Sequence, residues 1–340
     1  MIANRSTLAP RKPVARLCLA QCMLLSLCAL AQESTIISFD PPGSRQTIPL
    51  SINTGGSVTG YYSDGSAIHG FLRAPDGSFT AIDVPGATAT DAWSINSAGS
   101  IAGYFLAGHI FHGFLRLPDG SFITFDPPDS TETMPQSINS AGMVTGHYAD
   151  ANGAFHGFLR APDGTITSFD PQGSTSTRPI SINSIGEITG SYLDSAQLYH
   201  GFVRSSDGTI TTFLVQPGQN TQPASINSAG EVTGQYGSLN SPQGFLRAPD
   251  GTITTFAPKN STANFIPYCI NDVGTITGSY IDPRGISHGF VRRRDGTFAT
   301  FGSPSVNFVL AFSINSAGQI TGYYQASVYT TSHGYLLSPP

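Results

Sequence analysis

A sevenfold internal repeat constrains this chain more than any other feature. Ser-Ile-Asn recurs at Ser51, Ser94, Ser137, Ser181, Ser225 and Ser313, and Cys269-Ile270-Asn271 is a copy with one exchange. Successive copies start 43 or 44 residues apart. One unit of this length buries little on its own, so such units stack, as they do in propellers and solenoids. The repeat also sorts residues by role. What recurs in every unit serves the scaffold, and what varies between units is where a specific function has room to sit.

The unit at 137–180 shows what is stacked. Ser137-Ile138-Asn139 reads as a short extended piece, Ser140-Ala141-Gly142 as a turn and Met143 to Tyr148 as a β-rich run. A polar loop from Ala149 to Ala154 leads to a third strand around His156-Gly157-Phe158-Leu159-Arg160. Pro162-Asp163-Gly164 is a hairpin turn, because Asp-Gly tolerates the positive φ such turns need. Thr165 to Asp170 is the fourth strand, and no helical periodicity intervenes. Four antiparallel strands in a unit of this length predict a propeller blade. Gly146 and Gly157, inside strands, are expected to let neighbouring sheets approach. The 38 glycines and 24 prolines of the 340-residue chain agree with an all-β protein rich in tight turns.

The ends fit a closed ring. Ser34 to Ser44 matches a fourth strand with its exit loop, yet it precedes the first Ser-Ile-Asn. The last unit stops at Pro340 after its third strand. The expected fold is therefore a seven-bladed β-propeller with four antiparallel strands per blade, the N-terminal strand completing the last blade. Closure removes the open edges that a linear array would leave.

Residues 1–31 read as a cleavable secretory signal. Arg5, Arg11, Lys12 and Arg16 precede an apolar stretch from Leu17 to Leu30 that is too short to span a bilayer, and Ala29-Leu30-Ala31 fits a cleavage site. A lipid anchor on Cys22 or Cys28 is the weaker alternative, because Gln21 and Leu27 stand where a small residue is expected. The expectation is a secreted or periplasmic protein with one domain over 32–340. Cys18, Cys22 and Cys28 leave with the signal, so Cys269 has no intrachain partner and reads as a small buried hydrophobe. Loss of four positive charges takes the formal charge from −5 to −9, with Lys259 the one remaining lysine. Nucleic acid and anionic membrane surfaces are therefore poor partners.

His-Gly-Phe recurs at His69, His112, His156, His200 and His288, with Gln243-Gly244-Phe245 and His333-Gly334-Tyr335 as variants. Together with Ile-Asn-x-x-Gly, the Thr-Gly strand and the following Asp-Gly, this pattern resembles the HAF family of extracellular repeats of exported bacterial proteins, with glycine in place of the motif's alanine. The resemblance spans all seven units. It implies export and a repeat scaffold, and it implies no catalytic residue.

The chemistry-bearing residues divide accordingly. Six of the eight histidines belong to the recurring motif, each on a different unit, so they cannot converge on one ion at the roughly 2 Å that zinc requires. They read as structural, as do the arginines four residues on (Arg73, Arg116, Arg160, Arg204, Arg247, Arg292). The hairpin aspartates (Asp76, Asp119, Asp163, Asp207, Asp250, Asp295) read the same way. No metal or cofactor is expected. No nucleophile elbow, P-loop or dinucleotide fingerprint is present. Asp64, Asp91, Asp129, Glu132, Asp194 and Asp282 are expected in varying loops, where a glycoside hydrolase or polysaccharide lyase would find its carboxylates, but nothing in the sequence selects a pair.

The varying positions point elsewhere. The residue before each Ser-Ile-Asn reads Leu50, Trp93, Gln136, Ile180, Ala224, Tyr268 and Phe312. The residue after each Thr-Gly, or Ala-Gly in the second unit, reads Tyr61, Tyr104, His147, Ser191, Gln235, Ser279 and Tyr323. In a simple hairpin register these columns face each other. They would then form a one-sided aromatic arc of Trp93, Tyr61, Tyr104, Tyr268, Phe312 and Tyr323, with His147 on the polar side. Such an arc suits a carbohydrate or a peptide, making the chain a binding module. Three alternatives stay open: aromatics that merely plug the channel, a propeller enzyme, and a purely structural envelope protein.

Overall fold

The computed structural model describes residues 35–238, 241–259, 261, 263–302, 308–325 and 331–339. The expected signal segment lies outside them. Every regular element among the described residues is a β-strand, and there are 28. No described helix is long and apolar enough to cross a membrane. β1 (Thr35–Phe39) precedes the first unit, which comprises β2 (Gln46–Ile52), β3 (Val58–Ser63), β4 (Ile68–Arg73) and β5 (Phe79–Ile82). The second unit is β6 (Ala89–Ile95), β7 (Ile101–Ala107), β8 (Ile110–Arg116) and β9 (Phe122–Phe125). The third opens with β10 (Glu132–Ile138), β11 (Val144–Ala149), β12 (Phe155–Arg160) and β13 (Ile166–Phe169). The same order runs on to β26 (Phe308–Ile314), β27 (Ile320–Gln325) and β28 (His333–Ser338).

These strands make six hydrogen-bonded sheets, five of four strands and one of eight. One sheet per unit was expected. The eight-stranded sheet arises because a single parallel pair, Ile68 with Ala89, ties the third strand of the first unit to the first strand of the second. β1 pairs antiparallel with β28, from Thr35 opposite Ser338 to Phe39 opposite Gly334. The last unit, short of one strand in sequence, thus acquires its fourth from the start of the domain.

The recurring residues explain how units adhere. The phenylalanine of each His-Gly-Phe is fully buried, as in Phe71, Phe114, Phe158, Phe202 and Phe290. Phe158 meets the edge of Phe125, a fourth-strand residue of the preceding unit, with ring centroids 6.0 Å apart. Two residues on, the Arg160 guanidinium lies 5.1 Å from the centroid of the same Phe125 ring. Arg204 on Phe169 and Arg247 on Phe213 repeat this cation–π contact. The arginines expected to be structural are therefore clamps between units.

Asparagine makes a second set of links. Within its own turn, the Asn139 side-chain oxygen accepts the amides of Ala141 and Met143. Its side-chain nitrogen donates to the Asn183 carbonyl of the next unit at 3.0 Å. Asn53, Asn96, Asn139, Asn183, Asn227, Asn271 and Asn315 each donate onward in this way, and Asn315 donates to Asn53 at 3.0 Å. The chain of bonds returns to its start. A cavity of about 260 Å³ lies inside it, lined by the Ile-Asn dipeptide of all seven repeats.

Each first strand contains a bulge. Pro135 opposes Gly146 and Ser137 opposes Thr145, so Gln136 has no partner across the ladder. Gly146 serves this bulge rather than a neighbouring sheet. A Cβ there would collide with the Met134 carbonyl oxygen and come within 2.7 Å of the Pro135 Cα. Gly157 does what was expected of both: a Cβ would lie 2.9 Å from Pro179 of the next unit and 2.9 Å from Phe169.

Candidate functional site

The bulge changes the register expected for the varying columns. Leu50, Trp93, Gln136, Tyr268 and Phe312 fall at the bulges and face no single partner. The tyrosine column pairs two residues earlier: Tyr61 with Ile48, Tyr104 with Asp91, His147 with Met134 and Tyr323 with Leu310. The rings nevertheless meet, because a bulge swings its side chain toward the neighbouring strand. Trp93 and Tyr104 have centroids 5.6 Å apart, Phe312 and Tyr323 5.7 Å, and Tyr268 and Phe312 5.1 Å. Phe111 extends the first cluster, edge-on to Tyr104 at 5.5 Å, and Phe308 extends the second, at 5.9 Å from Tyr323. Neither belonged to the expected arc. Phe111 was hidden beside the recurring His112, and Phe308 lies outside both columns.

Tyr61 makes no ring contact with either cluster but is coupled electrostatically to Tyr323 and Tyr104. Burial raises its hydroxyl pKa first, and then the nearby Asp91 and Tyr323 raise it further. Tyr104 is raised well above the ordinary phenol range by burial, then by Asp91 and Tyr61. Burial pushes Tyr268 up to about 12, with Tyr323 adding to the effect. Tyr268, Tyr323, Tyr61 and Tyr104 thus form a continuous electrostatic row across the sixth, seventh, first and second units. Some tyrosine hydroxyls elsewhere are engaged, Tyr148 donating to Ser168, Tyr236 to Gln243 and Tyr335 to the Leu310 carbonyl, while Tyr62, Tyr192 and Tyr199 make no such bond to a described group. None of the four hydroxyls in the row bonds to a described protein group.

His147 stands apart from the arc. Its ring meets Phe155 edge-on at 5.2 Å, and the exposed Arg178 guanidinium lies 4.6 Å from that same Phe155. Burial, with help from Arg178, depresses the imidazole pKa to about 4, and its Nδ1 has no partner. Gln235 donates to Gln222 at 2.8 Å in the same column, so this side of the fold is polar.

Asp91 departs from expectation. It lies within strand β6, not in a loop, and only 9% of it is exposed. It stands where other units carry Ile48, Met134, Arg178, Gln222, Ile266 and Leu310, and it is the one acid at that position. No described group donates a hydrogen bond to its carboxylate. Burial pushes its pKa up to about 6. The other candidate acids are occupied or isolated. Asp194 accepts the amides of Ala196 and Leu198 and sits 2.8 Å from the His200 Nε2. Asp282 holds Arg284, His288 and two turn amides. Asp64 caps its own turn and approaches His69. Asp129 occupies a left-handed turn position at φ 61°. Glu132 opens β10 and reaches the arc only through its field on Tyr104.

The recurring histidines are held from several sides. The His156 Nδ1 lies 2.7 Å from Asp170, its Nε2 lies 3.6 Å from Asp150, and Tyr148 packs on its ring at 5.3 Å. His333 makes the same contact with Asp40, from the segment after β1, at 2.7 Å.

No protein-family model matches the chain. No curated protein matches it in sequence. Solved structures similar to it include a streptogramin B lyase, at 15% identity and a TM-score of 0.59 over 89% of this chain and 97% of that one. A virginiamycin B lyase from Staphylococcus aureus is similar at 16% identity and a TM-score of 0.59, over 89% and 99%. A prolyl endopeptidase reaches a TM-score of 0.66 at 11% identity, over 87% of this chain and 49% of its own. At such identities the likeness concerns the fold alone, and that fold is all-β and propeller-like.

Proposed function

We propose that this chain is an exported seven-bladed β-propeller of the HAF repeat type, acting as a binding module for carbohydrate or peptide through its aromatic arc. The six copies of Ser-Ile-Asn with Cys269-Ile270-Asn271, the returning circuit of asparagine bonds and the pairing of β1 with β28 support seven blades in a ring. The basic and apolar start of the sequence supports export. One observation carries the binding reading. The row from Tyr268 through Tyr323 and Tyr61 to Tyr104 and Trp93 lies where units differ, while the recurring residues are consumed in joining units. An enzymatic reading has fewer acids to draw on, since Asp64, Asp194 and Asp282 are tied into turns and histidine contacts.

Trp93 is the only tryptophan, so intrinsic emission reports on this one place. Glycan and peptide panels screened by that emission should yield a ligand with a saturable shift. Trp93→Ala should then weaken binding by about 1–3 kcal/mol with the fold intact, as for a typical aromatic anchor. Emission that is blue and indifferent to every ligand, with a loss of roughly 3–5 kcal/mol of stability on substitution, would identify a channel plug instead.

A further inference from the structure

Resting on that reading, we propose that the arc recognises an oligosaccharide of free amino sugars, with Asp91 receiving the ammonium group of the ring that stacks on Trp93. The inference begins from what Asp91 lacks. Asp91 as a residue is nine-tenths buried, and a charge held there without a hydrogen bond from a described group is costly. The same position in other units carries Ile48, Met134, Arg178, Gln222, Ile266 or Leu310, so the fold does not need an acid there. Asp91 stands opposite Tyr104 of β7 in the ladder, its charge acts on the phenols of Tyr61 on β3 and Tyr104, and Glu132 on β10 acts on Tyr104 as well. No lysine or arginine is among them. A cationic ligand would supply the missing partner, and aromatic faces beside a carboxylate are the usual surroundings of a recognised ammonium group.

The rest of the arc narrows the class. Four tyrosine hydroxyls in a row, without protein partners, suit a ligand with many hydroxyls spaced along an extended chain. Flat sugar faces suit the Trp93–Tyr104 and Phe312–Tyr323 pairs. A lysine-bearing peptide would satisfy Asp91 and leave most of the hydroxyls unused. The half-protonation of Asp91 near pH 6 adds a signature, because its charge, and with it the attraction, fades as pH falls.

The probes are glucosamine trimer, its fully N-acetylated counterpart and a trilysine peptide, titrated against Trp93 emission at pH 7. The expected result is that the glucosamine trimer binds roughly thirtyfold or more tighter than the acetylated one, the loss typical of an unpaired buried charge. Its affinity should fall between pH 7 and pH 5. Asp91→Asn should erase both the preference and the pH dependence while melting cooperatively. Equal affinity for the two sugars, unchanged by Asp91→Asn, overturns the charge recognition and leaves the aromatic site standing. Trilysine binding as tightly as the glucosamine trimer overturns the sugar assignment. Silence of Trp93 toward all three overturns this inference, and silence toward the wider panels as well overturns the binding reading beneath it. The preference between the two trimers is read on the unmodified protein, so it stands even where the variant fails to fold.

Discussion

Asp91 shows how a single residue reports on both stability and site. Its carboxyl pKa rises from 3.8 to about 6 because the charged form is desolvated. A raised carboxylate value means that the folded state holds its proton more tightly than the unfolded state. The Asp91 contribution is therefore most favourable below pH 3.8, declines as pH rises toward 6 and stays low above it. Asp91→Asn should consequently be more stable than the parent at pH 7 by roughly 1–3 kcal/mol, with the difference vanishing near pH 4. Urea melts of both proteins at the two pH values measure this, and a constant difference would contradict it. The sequence made the aromatic members of the arc legible, since Trp93, Tyr104 and Tyr323 break the pattern of their columns. Asp91 was misplaced because acids between repeats resemble loop acids until the strand boundary is known. Its electrostatic neighbours are Tyr61 from the preceding unit and Tyr104 across the ladder, neither adjacent to it in sequence.

At the scale of the element, strand count and turn positions were readable because Asp-Gly, Asn-x-x-Gly and the alternating runs have local causes. The bulge was not readable, because two residues opposing one leaves no compositional mark when the extra residue ranges from Ala224 to Trp93. Its one trace is the glycine of Thr-Gly, which the sequence offered as a sheet spacer. Gly146→Ala places a Cβ against main-chain atoms of β10 that have nowhere to move, and should cost about 3 kcal/mol or more. Gly173→Ala meets open space and bears only the strain of φ 83°, so a chemical melt should show a much smaller loss. His156 gives its unit a pH dependence of the same sign as that of Asp91, set at higher pH. The hydrogen bond to Asp170 is the main cause of a raised His156 pKa, so its contribution is full below pH 6.5 and fades as pH rises through the folded value. Asp150 is lowered mainly by the Ala154 amide, so its contribution is present above 3.8 and fades in acid. His156→Ala should therefore lower the melting temperature more at about pH 6 than at about pH 8. An equal loss at both would mean that the ring acts only by packing on Tyr148.

Over the whole molecule, the contacts that join the last unit to the first repeat those within the chain. Phe39 of β1 meets Phe71 edge-on at 6.3 Å, and the Arg73 guanidinium lies 5.0 Å from the Phe39 ring centroid, as Phe125, Phe158 and Arg160 are arranged farther along. Asp40 holds His333 as Asp170 holds His156. The segment 35–44 thus stands as the fourth strand of the seventh unit despite lying some 300 residues away in sequence. Removing it should uncover the edge of β28, leave Arg73 without its ring and expose Phe71. Loss of Phe39 alone is expected to cost about 3–5 kcal/mol, and the bare edge should promote association. Truncation by itself confounds closure with simple loss of core, so the decisive comparison is a permuted chain carrying 35–44 after Pro340 on a short linker. There the strand would reach β28 as a local hairpin while the composition stays the same. If the segment acts as the fourth strand, the permuted protein should regain the parent melting temperature and the parent's state of association, and the truncated one should not. Equal cooperative melting of parent and truncated proteins would show that the ring does not depend on its first strand. Failure of the permuted chain to recover would show that the covalent link to Gln46, rather than pairing with β28, is what the segment supplies.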